Sequence, residues 1–210
     1  VGSGHASDLN RTNKSMARAF RAFSRTSARA RSEMHPFRRS LLLMIAFGGT
    51  AVLGSYVLAL VGEPSLQSGL WGGLPESLKG MYTVNMFLAA GAFFPATLLL
   101  GFKTDLDDFP GQAGLSFNVL MAAYAAILMP SALWLPLTAL YIQDPSTLLW
   151  IAIRVVLFAV GGGASTVAYM LIRRAQKGPL LAWGAVAFFF FFWLQTMILD
   201  AIVWPYFYHA

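Results

Sequence analysis

Cysteine is absent from all 210 residues, which excludes disulfides, iron–sulfur ligation and thiol catalysis by inventory. Charge is scarce as well: Asp, Glu, Lys and Arg make up 11% of the chain, against about a quarter in soluble domains. The three histidines, His5, His35 and His209, all fall outside the long apolar runs, so a haem held between histidines inside a bilayer is excluded. Neither GxxxxGK[ST] nor GxGxxG, HExxH or GxSxG occurs, leaving phosphate cradling, zinc proteolysis and serine hydrolysis without a motif. No catalytic residue is assigned, and the chain reads as a non-enzyme. The segment DLDD at Asp105–Asp108 lacks the glycine and terminal glutamate of a calcium loop, so it reads as a solvated turn ending at Pro110. No metal site and no cofactor is identifiable.

Hydrophobic residues, by contrast, make up 57% of the sequence and gather beyond position 40. Crossing roughly 30 Å of hydrocarbon takes about 20 apolar residues, and five segments reach that length: 41–62, 80–101, 115–142, 147–172 and 180–207. The expected fold is an all-α integral membrane protein, with an N-terminal arm over 1–40 and a five-helix transmembrane domain over 41–210. Pro130 and Pro136 predict a kink in the third span, since proline removes a backbone donor and crowds the preceding turn. The connecting loops are short, which makes their charge informative. Nine Lys and Arg residues lie in the arm. Lys103, Arg173, Arg174 and Lys177 fall on the same side and Lys79 on the other. The N-terminus is therefore expected inside and the C-terminus outside, in a bacterial inner membrane or an organelle inner membrane of mitochondrial type.

The arm reads RTNKSMARAFRAFSRTSARARSEM over 11–34. Met16, Phe20, Phe23, Ala30 and Met34 recur at helical spacing against Arg18, Arg21, Arg25 and Arg29, the pattern of a basic amphipathic helix. Such a helix binds anionic lipid headgroups, at about 1 kcal/mol per basic residue, or docks on a partner subunit. An Arg- and Ser-rich, acid-poor stretch also fits a retained targeting segment. No aromatic stacking platform accompanies the arginines, so nucleic acid is not expected as a partner.

Two ionised side chains fall within spans, Arg154 in the fourth and Asp200 in the fifth. Each is expensive there, by roughly 2.5–3.5 kcal/mol. Both lie about 9 Å below the outer surface at 1.5 Å per residue, and consecutive antiparallel helices are usually neighbours, so an intramembrane ion pair is expected. It reads either as a staple between two helices or as a site for a proton, ion or polar ligand. At α-helical spacing Trp193, Thr196, Asp200 and Trp204 share one face, and Arg154 shares another with Trp150, Phe158, Gly161 and Ser165. With Tyr124 and Trp134 on the third span and Asn85 on the second, these outline a lipophilic pocket. An interfacial aromatic belt is the simpler account of the outermost rings. Gly161, Gly162 and Ser165 predict a close helix contact. Phe188–Phe192 must cover the whole circumference of its helix, so part of it faces lipid or another chain.

The run YAAILMPSALWLPLTALY in the third span, with LLAWGAVAF and LDAIVW in the fifth, resembles the translocator protein family, also called tryptophan-rich sensory proteins. The resemblance implies a five-helix membrane fold and the binding of tetrapyrroles or sterols. The first loop lacks that family's tryptophan-tyrosine, lysine-proline and double-proline pattern, so no ligand residues carry over. Three functions are in view. The first is an accessory subunit of a larger membrane complex, partnered by lipids and by other subunits or copies of itself. The second is a binder or carrier of a lipophilic ligand. The third is a proton- or ion-conducting element using Arg154 and Asp200; because five spans do not divide into inverted halves, a lone transporter is disfavoured.

Overall fold

A computed structural model describes residues 35–61 and 64–208. The amphipathic stretch carrying Arg18, Phe20, Arg21, Phe23, Arg25 and Arg29 lies outside the described residues. Among the described residues, those from Ser40 onward form one compact unit. All regular structure among the described residues is helical: α1 Pro36–Val61, α2 Pro64–Trp71, α3 Glu76–Thr97, α4 Phe109–Ala113, α5 Phe117–Gln143, α6 Thr147–Gln176, α7 Leu181–Trp193 and α8 Trp204–Phe207. Two stretches between them widen to π-helix, Leu98–Phe102 after α3 and Leu194–Val203 joining α7 to α8. Among the described residues, five helices are long and apolar enough to cross a membrane: Pro36–Leu58, Glu76–Phe102, Phe117–Gln143, Thr147–Gln176 and Leu181–Phe207.

Local chemistry sets the boundaries. Pro36 takes the first position of α1, where its missing N–H is not needed, so α1 begins five residues before the expected apolar start at Leu41. Ser116 and Ser146 cap α5 and α6, their hydroxyls accepting from the N–H groups of Val119 and Leu149. Arg173 and Arg174 close α6 at its dipole-negative end. Pro130 and Pro136 sit inside α5 without interrupting it. Two connections expected as plain loops contain short helices, α2 in the first and α4 in the second.

Lipid tails are as apolar as leucine, so helix association in a bilayer depends on close packing and interhelical hydrogen bonds. The glycines of α6 show where that packing is tightest. A methyl group on Gly163 would lie 2.7 Å from the carbonyl oxygen of Ala123 in α5, and one on Gly161 would lie 3.1 Å from the Cα of Met197. Gly162 has nothing within 4 Å on its side. α6 therefore sits centrally, touching α5 through Gly163 and the π-helical segment through Gly161. The largest core cluster includes Leu41, Leu100, Phe109, Phe117, Leu120, Tyr124, Met170 and Phe189. A second, aromatic cluster of Ile153, Leu157, Ala201, Trp204 and Tyr208 fills the other end, with Trp134, Tyr141 and Trp150 packed on it.

α1 is the least enclosed span: its apolar window is 11% buried, against 44% for that of α6. Gly48 meets Leu128 of α5, while Phe47 and Leu58 are 75% and 79% exposed. In the phenylalanine run, Phe189 is buried and stacks on Phe192 at 5.1 Å, whereas Phe190 faces outward. The five rings thus divide between the core and the surroundings.

Candidate functional site

The π-helical segment 194–203 holds the most unusual polar group in the bundle. In an α-helix, positions five apart lie about 140° from each other around the axis. Winding with i→i+5 hydrogen bonds brings them onto one face, and such segments recur at functional sites. Here the winding stacks Gln195 over Asp200, and Gln195 Nε2 donates to Asp200 Oδ1 at 2.7 Å.

Asn85 of α3 completes the chain. Its Nδ2 donates to Gln195 Oε1 at 2.9 Å and to the carbonyl of Phe191 at 3.2 Å. The network is directional, because the oxygen of Gln195 is committed to Asn85 and its NH2 must therefore turn to Asp200. Tyr82, also on α3, donates its hydroxyl to the carbonyl of Leu199 at 2.8 Å. That carbonyl already accepts from the N–H of Trp204 in the π-helical pattern. Asn85, Gln195 and Tyr82 are all buried.

Asp200 itself is only partly buried, although it lies seven residues before the end of its span at Phe207, about 10 Å in at 1.5 Å per residue. One carboxylate oxygen is held by Gln195, and the other has no hydrogen-bond partner among the described residues. The hydroxyls of Tyr56 and Tyr82 are near enough to feel the carboxylate electrostatically. Tyr56 packs on Trp134 at 6.3 Å between ring centroids, and Trp134 meets Trp204 edge-on at 5.9 Å. The indole N–H of Trp134 is buried without an acceptor, a loss of roughly 1–3 kcal/mol of the kind tolerated at functional sites.

The first connection roofs this end of the bundle. Trp204 Nε1 donates to the carbonyl of Leu70 at 2.9 Å, and the N–H of Gly73 donates to the carbonyl of Phe207 at 3.2 Å. Gly72, at φ +52°, lets the chain turn against the ring of Tyr208, where a side chain would collide. Trp71 meets Tyr82 edge-on at 6.3 Å, and Leu74 is buried with Tyr82 and Leu199. α2 and its following turn are thereby fixed over the site.

The expected ion pair does not form. Arg154 lays its guanidinium over the ring of Phe158 at 5.1 Å, one turn along its own helix, and Asp200 bonds to Gln195 instead. The π winding explains the difference. α-Helical phasing would put position 200 within about 60° of position 197, whose side chain faces α6 at Gly161. The slower rotation of the wider helix turns Asp200 away, toward Tyr82 and Tyr56.

Of the residues expected to outline a pocket, Asn85 and Asp200 are joined through Gln195, whereas Tyr124, Trp134, Trp193 and Thr196 do not converge. Tyr124 pairs with Thr97 Oγ1 at 2.7 Å and with Phe93 at 5.3 Å, ten residues and about 15 Å along α5 from Trp134. Trp193 donates to Ser165 Oγ at 3.0 Å, and that hydroxyl bonds back to the carbonyl of Gly161 at 2.8 Å. Thr196 returns its hydroxyl to the carbonyl of Phe192 at 2.9 Å. Only Trp134 stands near the Asp200 site. Gln195, Tyr56 and Tyr82 were missed because α-helical spacing puts Gln195 on a different face from Asp200, and an isolated tyrosine in an apolar span reads as filler.

Comparison with known protein families, with curated proteins and with solved structures returns no significant match. Among the described residues the fold is all-helical, with five helices long and apolar enough to cross a membrane, and the site is a carboxylate held by the amide of Gln195, itself held by Asn85.

Proposed function

We propose that the protein is a non-catalytic integral membrane protein that binds a lipophilic small molecule at Asp200, beneath the α2 roof. The observation that carries this reading is a carboxylate inside an apolar span with one oxygen held by an amide chain and the other without a partner among the described residues. Pockets of that kind, mostly apolar with a few fixed polar groups, are how proteins orient small lipophiles. The five-helix resemblance to the translocator family agrees with it. By the charge bias of the short loops, the N-terminus lies inside, the C-terminus outside, and the site near the outer surface.

Conduction finds less support. From Asn85 to the next polar pair at Thr97 is twelve residues, about 18 Å of helix, and the buried positions between are Ala89, Ala92 and Ala96. A polar chain that stops there serves binding better than passage. Native mass spectrometry of protein released gently from its source membrane tests the reading. The wild type should carry a small lipophile that Asp200→Asn loses, and a ligand-free wild type overturns it.

A second reading, an accessory subunit held among other chains, is favoured by the exposure of α1. The same measurement decides it: co-release with other membrane chains supports it, and a lone protein removes it.

A further inference from the structure

Resting on the lipophile-binding reading, we infer that the occupant meets Asp200 through a positively charged nitrogen, so that the ligand class is the lipophilic organic cations. Three observations converge on this. First, Asp200 has no cationic partner among the described residues: Arg154 is engaged with Phe158, and Asp200 takes its one hydrogen bond from a neutral amide. A carboxyl group in a low-dielectric interior either takes up a proton or has its charge compensated by a neighbour, and a bound cation supplies that compensation.

Second, the amide chain has a fixed polarity. Asn85 gives to Gln195 and Gln195 gives to Asp200, so the network delivers hydrogen-bond donors to the carboxylate and leaves an acceptor facing outward. The complementary group on a ligand is a donor or a cation. An acidic ligand would meet repulsion.

Third, aromatic side chains gather next to the carboxylate. Tyr82 bonds to the carbonyl of Leu199, the residue before Asp200, and Trp204, four residues beyond Asp200, packs on Trp134, which packs on Tyr56. Ammonium groups are recognised by a carboxylate together with aromatic faces, because ring quadrupoles attract a cation that has shed its water.

The test is equilibrium binding of dodecyltrimethylammonium and of dodecanol, its uncharged counterpart, to the full chain in nanodiscs, with empty nanodiscs subtracted. The wild type should bind the cation roughly tenfold more tightly than the alcohol. Asp200→Asn should remove that preference while leaving saturable binding of the alcohol, and Arg154→Gln should retain it. In parallel, modification of the wild-type Asp200 by a lipophilic carbodiimide should be slowed by the cation and not by the alcohol, which needs no folded variant. Equal affinity for both probes in the wild type, or a cation preference that survives in Asp200→Asn, overturns the cation inference and leaves lipophile binding standing. No saturable binding of either probe overturns both.

Discussion

Gln195 accepts from Asn85 and donates to Asp200, so replacing it by leucine strands a buried amide donor and leaves the carboxylate without its only protein hydrogen bond. Gln195→Leu should destabilise the protein by about 1–3 kcal/mol, measured by reversible unfolding in mixed micelles. Asn85→Leu removes a donor shared between Gln195 and Phe191 and should fall in the same range. The double variant should fall short of the sum by about 0.5–3 kcal/mol, as expected for residues in one network; strict additivity would break the link between them. None of this was legible from residue type. A glutamine in an apolar span is unusual, but nothing in its neighbours says which partner it has.

At the scale of the element, helix propensity and helix contact make opposite demands on the glycines of α6. Gly163→Ala drives a methyl group into the backbone of α5 at Ala123 and should cost about 1–3 kcal/mol. Gly162→Ala meets nothing and should be neutral or stabilising by up to about 1 kcal/mol, from helix propensity. Thermal unfolding of the two variants side by side checks the contrast. The run GGGAS, small residues on adjoining faces of one helix, marked this stretch for close packing, and the contacts fall at Gly161 and Gly163 while Gly162 meets nothing. Successive positions 100° apart give the three glycines three different surroundings. The π-helical segment was invisible for a related reason: hydropathy reads the length of a span, whereas its winding depends on which backbone carbonyls find which donors. The expected Arg154–Asp200 pair and the expected shared face of Trp193, Thr196 and Asp200 both assumed uninterrupted α-helical phase.

For the molecule as a whole, the five apolar lengths were legible because each must cross a slab of fixed thickness, and the expected starts at 41, 80, 115, 147 and 180 stand beside observed starts at Pro36, Glu76, Phe117, Thr147 and Leu181. The helices inside the first two connections were not, being short and held by tertiary contacts such as the Trp204 bond to Leu70. Orientation rests on loop charge, and a chain without cysteine is well suited to testing it. A single cysteine at Ser146 should react with an impermeant maleimide from the outer side, and one at Gln176 only after the inner side is opened. Reversed labelling would invert the topology and put the Asp200 site near the inner surface.

The account stands on Asp200 being held by Gln195 in a π-helical register, and a dipolar-recoupling solid-state NMR experiment reads that contact directly. With Gln195 Nε2 labelled with nitrogen-15 and Asp200 Cγ with carbon-13 in lipid bilayers, the account predicts strong coupling, matching a nitrogen 2.7 Å from the carboxylate oxygen. An α-helical register would separate the two groups around the helix, and absent coupling would contradict the account.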